Sequence, residues 1–356
     1  MIGRGATRLL AASRIGPDEP GLQADLDALG GEVIRLRSRD GLKLAGRWLP
    51  SEAGPAGGGP TGAAGEDAAI ERAVSDDLAR PWRPDPYEAI LLLHGWTGSV
   101  APDLVALGPT LRRTSGVLGL DFRGHGGSDD GPTTFGLLEI EDVAGALAWL
   151  GDRGIRRVAL VGSSMGGVVA LASIVVLGDG SLAAADLDPD APAASIGAPR
   201  PRIVGAVVES VAPDLRIPVA NRMGAPLGGP IRRAIAARMF AAAGRRVGGN
   251  LRATEPIRVI GLVEPVPLLL IHGAADRTVR PADGRRLAAA AGPAAVHWEV
   301  PRADHGQARA ADPAAWDGRV SAFLRRAFVA GREAVPIIGR PVEPAVAPAT
   351  GGQEGD

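Results

Sequence analysis

The run Val158-Ala-Leu-Val-Gly-Ser-Ser-Met-Gly-Gly167 is a short apolar stretch that ends in Gly162-Ser163-Ser164-Met165-Gly166 and passes directly into Val168-Val-Ala-Leu-Ala-Ser-Ile-Val-Val176. An apolar run of strand length, a glycine-bearing turn and a helix-forming stretch together describe a strand, a sharp bend and a helix with a serine at the apex. Glycines stand two positions before and two after Ser164, as a strained turn requires when neighbouring backbone comes too close for a Cβ. Such a turn holds the Ser164 hydroxyl above the sheet, which makes Ser164 the candidate nucleophile. Ser163 lacks a glycine two positions before it and points elsewhere, into packing or a hydrogen bond.

A serine alone is a poor nucleophile at neutral pH; it needs a histidine base, an acid to orient that base, and amide donors for the oxyanion. Glu88-Ala-Ile-Leu-Leu-Leu-His94 reads as a buried strand ending in His94-Gly95-Trp96-Thr97-Gly98, a loop suited to aim a backbone N–H at a substrate oxygen. Farther on, Val266-Pro-Leu-Leu-Leu-Ile-His272 ends in Gly273-Ala-Ala-Asp276, and Ala295-Val-His-Trp-Glu-Val300 ends in Pro301-Arg-Ala-Asp-His305-Gly306. An acid and then a histidine each follow a strand end. Of the five histidines, His94 and His125 sit in glycine-rich loops, His272 ends a strand and His297 lies within one, all positions of structural hydrogen-bonding groups. His305 alone is both past the last strand and embedded in a loop. Trp96 reads either as an ordinary core aromatic or as a pocket wall beside the oxyanion loop.

With these segments in view, the chain resembles an α/β-hydrolase. His94-Gly-Trp-Thr-Gly98, Asp121-Phe-Arg-Gly-His-Gly-Gly-Ser128, Gly162-Ser-Ser-Met-Gly166, His272-Gly-Ala-Ala-Asp276 and Asp304-His305-Gly306 follow that family's order of Ser, then Asp, then His. The resemblance covers roughly residues 32–330 apart from two insertions. It implies Ser164 as nucleophile, Asp276 as triad acid, His305 as base, and the backbone amides of Trp96 and Met165 as the oxyanion hole, with no metal or organic cofactor. Some hydrolases of this fold carry the acid one strand earlier, so Glu209, at the end of Ile203-Val-Gly-Ala-Val-Val-Glu209, competes with Asp276.

The rest of the chain fits an α/β fold with a mostly parallel sheet and helices on both faces. Glu32-Val-Ile-Arg-Leu-Arg37 and Leu42-Lys-Leu-Ala-Gly-Arg-Trp-Leu49 alternate around Asp40-Gly41 and predict an N-terminal antiparallel hairpin. Beyond Leu93, strand and helix patterns alternate, which predicts crossover helices and places catalytic loops at the carboxyl ends of the strands. The expected organisation is an N-terminal segment at residues 1–31, a hydrolase domain at 32–330, and a Pro/Gly-rich disordered tail at 331–356. Within the domain, irregular insertions are expected at about 51–86 and 178–200, the first with a short helix near 68–78, and a small helical cap at about 211–255. Asp179, Asp186, Asp188 and Asp190 lack the glycine and terminal glutamate of a calcium loop and read as solvated.

Composition excludes several classes. With no cysteine in 356 residues, a disulfide framework, a thiolate zinc site and a cysteine nucleophile are all excluded. A formal net charge of −1 offers no electrostatic case for nucleic acid or a membrane surface. No uninterrupted apolar run approaches the roughly 18 residues of a membrane span. The first 13 residues are only weakly signal-like, so a cytoplasmic protein is the default expectation.

Lys43 is the only lysine, so clustered arginines carry less weight here than in an ordinary composition. The cap holds Arg216, Arg222, Arg232, Arg233, Arg238, Arg245, Arg246 and Arg252 against the acids Asp214 and Glu255. A solvated helix face is the favoured reading, and a cationic wall that attracts an anionic substrate is the competing one. Met223, Met239 and Phe240 read as lining for an acyl pocket or as glue between cap and body. The functional expectation is a serine esterase acting on a small acyl substrate through an acyl-enzyme. The alternatives are a serine peptidase or thioesterase on the same triad, or a non-catalytic binding protein of the same fold. The sequence sets no oligomeric state.

Overall fold

The computed structural model describes residues 10, 21–52, 82–96, 98–178, 200–223, 228–293 and 295–333. The expected helix near 68–78, Asp179, Asp186, Asp188 and Asp190 of the second insertion, the tail from 334, and the signal-like start apart from Leu10 lie outside these residues. Among the described residues, no helix is long and apolar enough to cross a membrane.

Eight strands form one sheet in the order β1-β2-β4-β3-β5-β6-β7-β8. Strands β1 (Glu32–Arg37) and β2 (Lys43–Leu49) make the expected hairpin, and β2 joins β4 (Gly116–Leu120) in antiparallel register, Gly46 opposite Leu120. From β4 onward all pairings are parallel: β3 (Glu88–Leu93), β5 (Arg157–Ser163), β6 (Arg202–Glu209), β7 (Leu268–Gly273) and β8 (Ala295–Val300). Parallel strands need crossover helices that cover both faces, so β3, β4 and β7 are buried along their whole length and lose the alternation of a half-exposed strand.

One face is packed by α1 (Leu22–Leu29), α2 (Ala101–Leu111) and the C-terminal helix, whose Trp316, Phe323, Leu324 and Phe328 are buried against β5 and β6. The other face carries α3 (Glu139–Asp152) and α4 (Met165–Leu177). Helix α4 is apolar on every side and buried at nearly every position, because the sheet lies beneath it and α3 and later helices lie around it. Above the same face sit α5 (Arg216–Arg222) and α6 (Gly229–Val247), which form the cap, followed by α7 (Pro256–Val259) and a 3-10 turn. Helix α8 (Pro281–Ala290) connects β7 to β8, and α9 (Ala308–Ala311) and α10 (Pro313–Glu333) close the described chain.

Two stretches outside the alternating strand-helix pattern are tied to the body. Helix α1, in the N-terminal segment, packs on α2, and the Arg47 guanidinium donates to Leu26 O and Gly30 O at 3.0 and 2.8 Å. The described end of the first insertion, from Trp82, is tied down too. Trp82 donates its indole N–H to Thr114 O at 2.8 Å, and the Arg325 and Arg332 guanidinium groups lie 5.5 and 5.1 Å from its ring centroid. Asp85 pairs with Arg157 at 3.1 Å. A lone tryptophan among prolines and charges has no periodicity, so nothing in the pattern marks it as an anchor.

Strand β3 has β4 on one side and β5 on the other, so chain direction diverges there and opens a crevice beyond the carboxyl ends of β3 and β5. His94 leaves β3 and Ser164 leaves β5 at that crevice.

Candidate active site

Ser164 lies between the last residue of β5 and the first of α4, with φ 51° and ψ −112°. A non-glycine residue in such a region stores on the order of 1–3 kcal/mol and persists only where its surroundings over-determine it. They do so here: Ser164 N donates to Glu209 O at 2.8 Å, and Ser164 O accepts the Val168 N–H at 3.1 Å. The flanking glycines have the role read from their spacing. A Cβ on Gly162 would lie 2.5 Å from Gly166 C, and one on Gly166 would lie 2.0 Å from Leu93 O. The elbow therefore closes on itself and on the end of β3, and only hydrogen side chains fit.

The loops after β7 and β8 bring the other two residues to this serine. His305 Nε2 is 3.0 Å from Ser164 Oγ, and His305 Nδ1 is 2.8 Å from Asp276 Oδ2. The second Asp276 oxygen accepts the Thr278 and Val279 amides at 2.9 and 2.8 Å. Burial alone would push the Asp276 carboxyl up, but the His305 and Val279 hydrogen bonds and the nearby imidazoles hold it below the usual range. The carboxylate is ionised and fixed, and it fixes the ring: with Nδ1 donating to Asp276, Nε2 is left to accept from the serine.

Glu209, the competing acid, goes to a different atom. Its carboxylate accepts the Ala308 N–H at 2.9 Å, and the next residue, Ser210, takes the Gly306 N–H on its hydroxyl at 3.0 Å. The carbonyl of Glu209 holds the elbow through Ser164 N, so one dipeptide grips both the nucleophile turn and the histidine loop. Burial pushes the Glu209 carboxyl up. No spacing rule marks Ser210, because its partner lies 96 positions away; a polar pair at the end of an otherwise apolar strand is the only signal available.

The loop after β3 is held by His94. The Phe122 N–H can only donate, so His94 Nε2, 3.1 Å away, is the acceptor and the proton sits on Nδ1. Nδ1–H then donates to Gly95 O at 2.7 Å. Burial and the neighbouring His125 push His94 down to about 3, so it stays neutral in this tautomer. A trans peptide places its N–H opposite its carbonyl, so fixing Gly95 O also fixes the direction of the Trp96 N–H, away from His94. Asp121 secures the far end of the loop by accepting the Val100 and Gly127 amides at 2.8 and 2.9 Å. A Cβ on Gly95 would lie 3.8 Å from Ser164 Cβ, which sets this loop directly beside that serine. Met165 opens α4, so its N–H has no intrahelical acceptor and lies at the positive end of the helix.

Trp96 faces the cap through an aromatic chain. Its ring packs edge-on against Phe135 at 5.5 Å, and Phe135 packs against Phe240 of α6 at 5.8 Å. Phe135 takes φ 55°, an outlier for a bulky residue. Buried Glu139 holds that turn by accepting from Thr134 N, Thr134 Oγ1 and Gly136 N at 2.6, 2.7 and 2.8 Å. Trp96 and Phe240 thus contribute to one apolar wall, while Met223 and Met239 are only partly buried beside it.

Residues 90–330 match the sequence model described as the alpha/beta hydrolase family. None of the curated proteins matches the chain. Among solved structures, one crystal form of an esterase from Pyrococcus furiosus shares 20% identity over 89% of this chain and 98% of its own, with a TM-score of 0.59. A thermophilic esterase from Thermogutta terrifontis, solved with malate bound, shares 16% over 83% of this chain and 99% of its own, with a TM-score of 0.50. A puromycin hydrolase shares 17% over 87% of this chain but 40% of its own, with a TM-score of 0.55. At such identities the likeness establishes the fold.

Proposed function

We propose that this chain, which belongs to the alpha/beta hydrolase family, is a serine hydrolase that cleaves a carboxylic ester through an acyl-enzyme. The observation that carries the reading is the unbroken hydrogen-bonded line from Ser164 Oγ through His305 to Asp276, at 3.0 and 2.8 Å. In the first half-reaction His305 Nε2 takes the serine proton as Oγ attacks the substrate carbonyl. Asp276 stabilises the resulting imidazolium. The carbonyl oxygen gains negative charge between the Trp96 and Met165 amides, each donor of this kind being worth about 3 kcal/mol in the transition state. Collapse of the tetrahedral intermediate expels the alcohol, protonated by His305, and leaves Ser164 acylated. Water activated by the same imidazole then releases the acid and restores the serine.

Thioesters and amides pass through the same intermediate, so the choice of ester rests on the structural neighbours described as esterases. A fluorophosphonate probe tests the class of reaction. The expected result is stoichiometric labelling of Ser164, abolished in Ser164→Ala, together with hydrolysis of 4-nitrophenyl pentanoate. A folded protein that neither reacts with the probe nor turns over ester, thioester or aminoacyl amide would be a binding protein of this fold.

A further inference from the structure

The cap is not a uniform cationic surface. Arg216 pairs with Asp214, and Arg252 and Arg258 share Glu255 at 3.0 and 3.1 Å. At the mouth of the site, Arg277 lies close enough to Asp304 to hold that carboxyl below its usual range, after the amide hydrogen bonds of Arg277 and His305. These charges are balanced locally. Arg222 is different: it is exposed, and among the described residues no carboxylate lies within ion-pair distance of it. Its guanidinium carbon stands 5.5 Å from the Trp96 ring centroid, on the oxyanion loop, and the acid whose charge reaches it is Asp276, which is already committed to His305.

The helix that carries Arg222 is pinned at both ends. Asp214 accepts the Arg216 N–H at 2.9 Å where α5 begins, and Asn221 Nδ2 donates to Thr278 O at 2.9 Å where it ends, on the loop that holds Asp276. The fold therefore sets a cation between the oxyanion loop and the acid loop, and among the described residues no carboxylate forms an ion pair with it. A guanidinium in that position presents a planar fork of donors that matches a carboxylate, and stacking on an aromatic face leaves that fork free. A single positive charge within reach of the Asp276 charge suits a mono-anion and not a dianionic phosphate.

We propose that Arg222 binds a carboxylate carried by the substrate, so that the preferred substrates are acidic esters such as mono-esters of short dicarboxylic acids. This assignment rests on the serine hydrolase reading above, and its test separates the two. The kinetic probe is a matched pair, the 4-nitrophenyl mono-ester of glutaric acid and 4-nitrophenyl pentanoate, compared as the ratio of their kcat/KM values. Charge-assisted hydrogen bonds of this kind correspond to about 10- to 100-fold, so Arg222→Gln is expected to lower the ratio by that factor. Arg222→Lys should recover part of it, and Arg233→Gln, on an exposed stretch of α6, should leave it unchanged.

The binding probe is mono-methyl glutarate, titrated by calorimetry into Ser164→Ala with and without Arg222→Gln. Binding that disappears with the arginine supports the carboxylate site even if neither ester is turned over, in which case the hydrolase reading is the one that falls. Turnover of both esters with a ratio indifferent to Arg222, or binding of mono-methyl glutarate indifferent to it, overturns the assignment and leaves the hydrolase standing.

Discussion

The ends of β6 and β7 each place an acid within reach of the histidine loop, half-buried at Glu209 and buried at Asp276, and the two acids meet different atoms. Asp276, three residues past β7, meets the imidazole itself at 2.8 Å, whereas Glu209, the last residue of β6, meets the backbone of Ala308 at 2.9 Å. Their acidities diverge accordingly. Hydrogen bonds from His305 and Val279 overcome burial at Asp276 and hold it down, while at Glu209 burial dominates and pushes it up. Two acids whose environments move them apart suit separate roles: under the proposed mechanism Asp276 is the fixed anion that orients and stabilises a charged ring, and Glu209 a strut for the segment that carries the ring. Burial and position at a strand end do not make a triad acid; the atom that the carboxylate addresses does.

The largest test of this contrast removes the charge at β7. Asp276→Asn keeps the size of the side chain but neither fixes the tautomer nor stabilises the imidazolium, so kcat on 4-nitrophenyl pentanoate should fall by roughly 10³- to 10⁴-fold. The fold should survive, as thermal unfolding will show, because an amide oxygen still serves the Thr278 and Val279 amides. A Glu209→Gln variant that lost more activity than Asp276→Asn would reverse the two roles.

The second test is smaller and addresses the strut. Glu209→Gln retains an oxygen for Ala308 N and should change kcat by no more than about threefold, whereas Glu209→Ala leaves that amide without its acceptor and lets the loop shift. Small misplacements of a catalytic group cost up to about 100-fold, so a loss of about tenfold in kcat with little change in KM is expected for the alanine variant. Recovery by glutamine marks a positioning role, since a true triad acid tolerates the amide badly.

Much of this was legible in the sequence, for identifiable reasons. The elbow announces itself because steric exclusion at Gly162 and Gly166 acts over four residues, a distance at which sequence spacing and spatial spacing coincide. The buried strands β3 and β7 are legible because both of their faces are covered, which leaves continuous apolar runs. Glu209, Ser210 and Arg222 were visible as residues but not as parts. A carboxylate that serves an amide 99 positions away leaves no periodic trace. Arg222 is one of several cap arginines until the fold decides which of them lack acids. Trp82 and Asp85 were assigned to the insertion for the same reason, their partners being Thr114, Arg157 and the arginines of α10.

The smallest test concerns what surrounds the strut. Asp103, in the first turn of α2, is pushed up to about 7 by burial and then by the charge of Glu209; Asp276 is affected instead by the imidazoles of His305 and His272, which lower it. A carboxyl with a folded pKa near 7 and an unfolded one near about 3.9 keeps its proton in the folded state over a range where the unfolded chain has released it. Stability then falls as pH rises from about 4 to about 7 and levels off above that window. Asp103→Asn is neutral throughout and lacks this slope. The melting temperature of the variant minus that of the wild type should therefore increase between pH 4 and pH 8. A difference of equal size at both pH values would mean that Asp103 is solvated and ionised across this range in the folded protein.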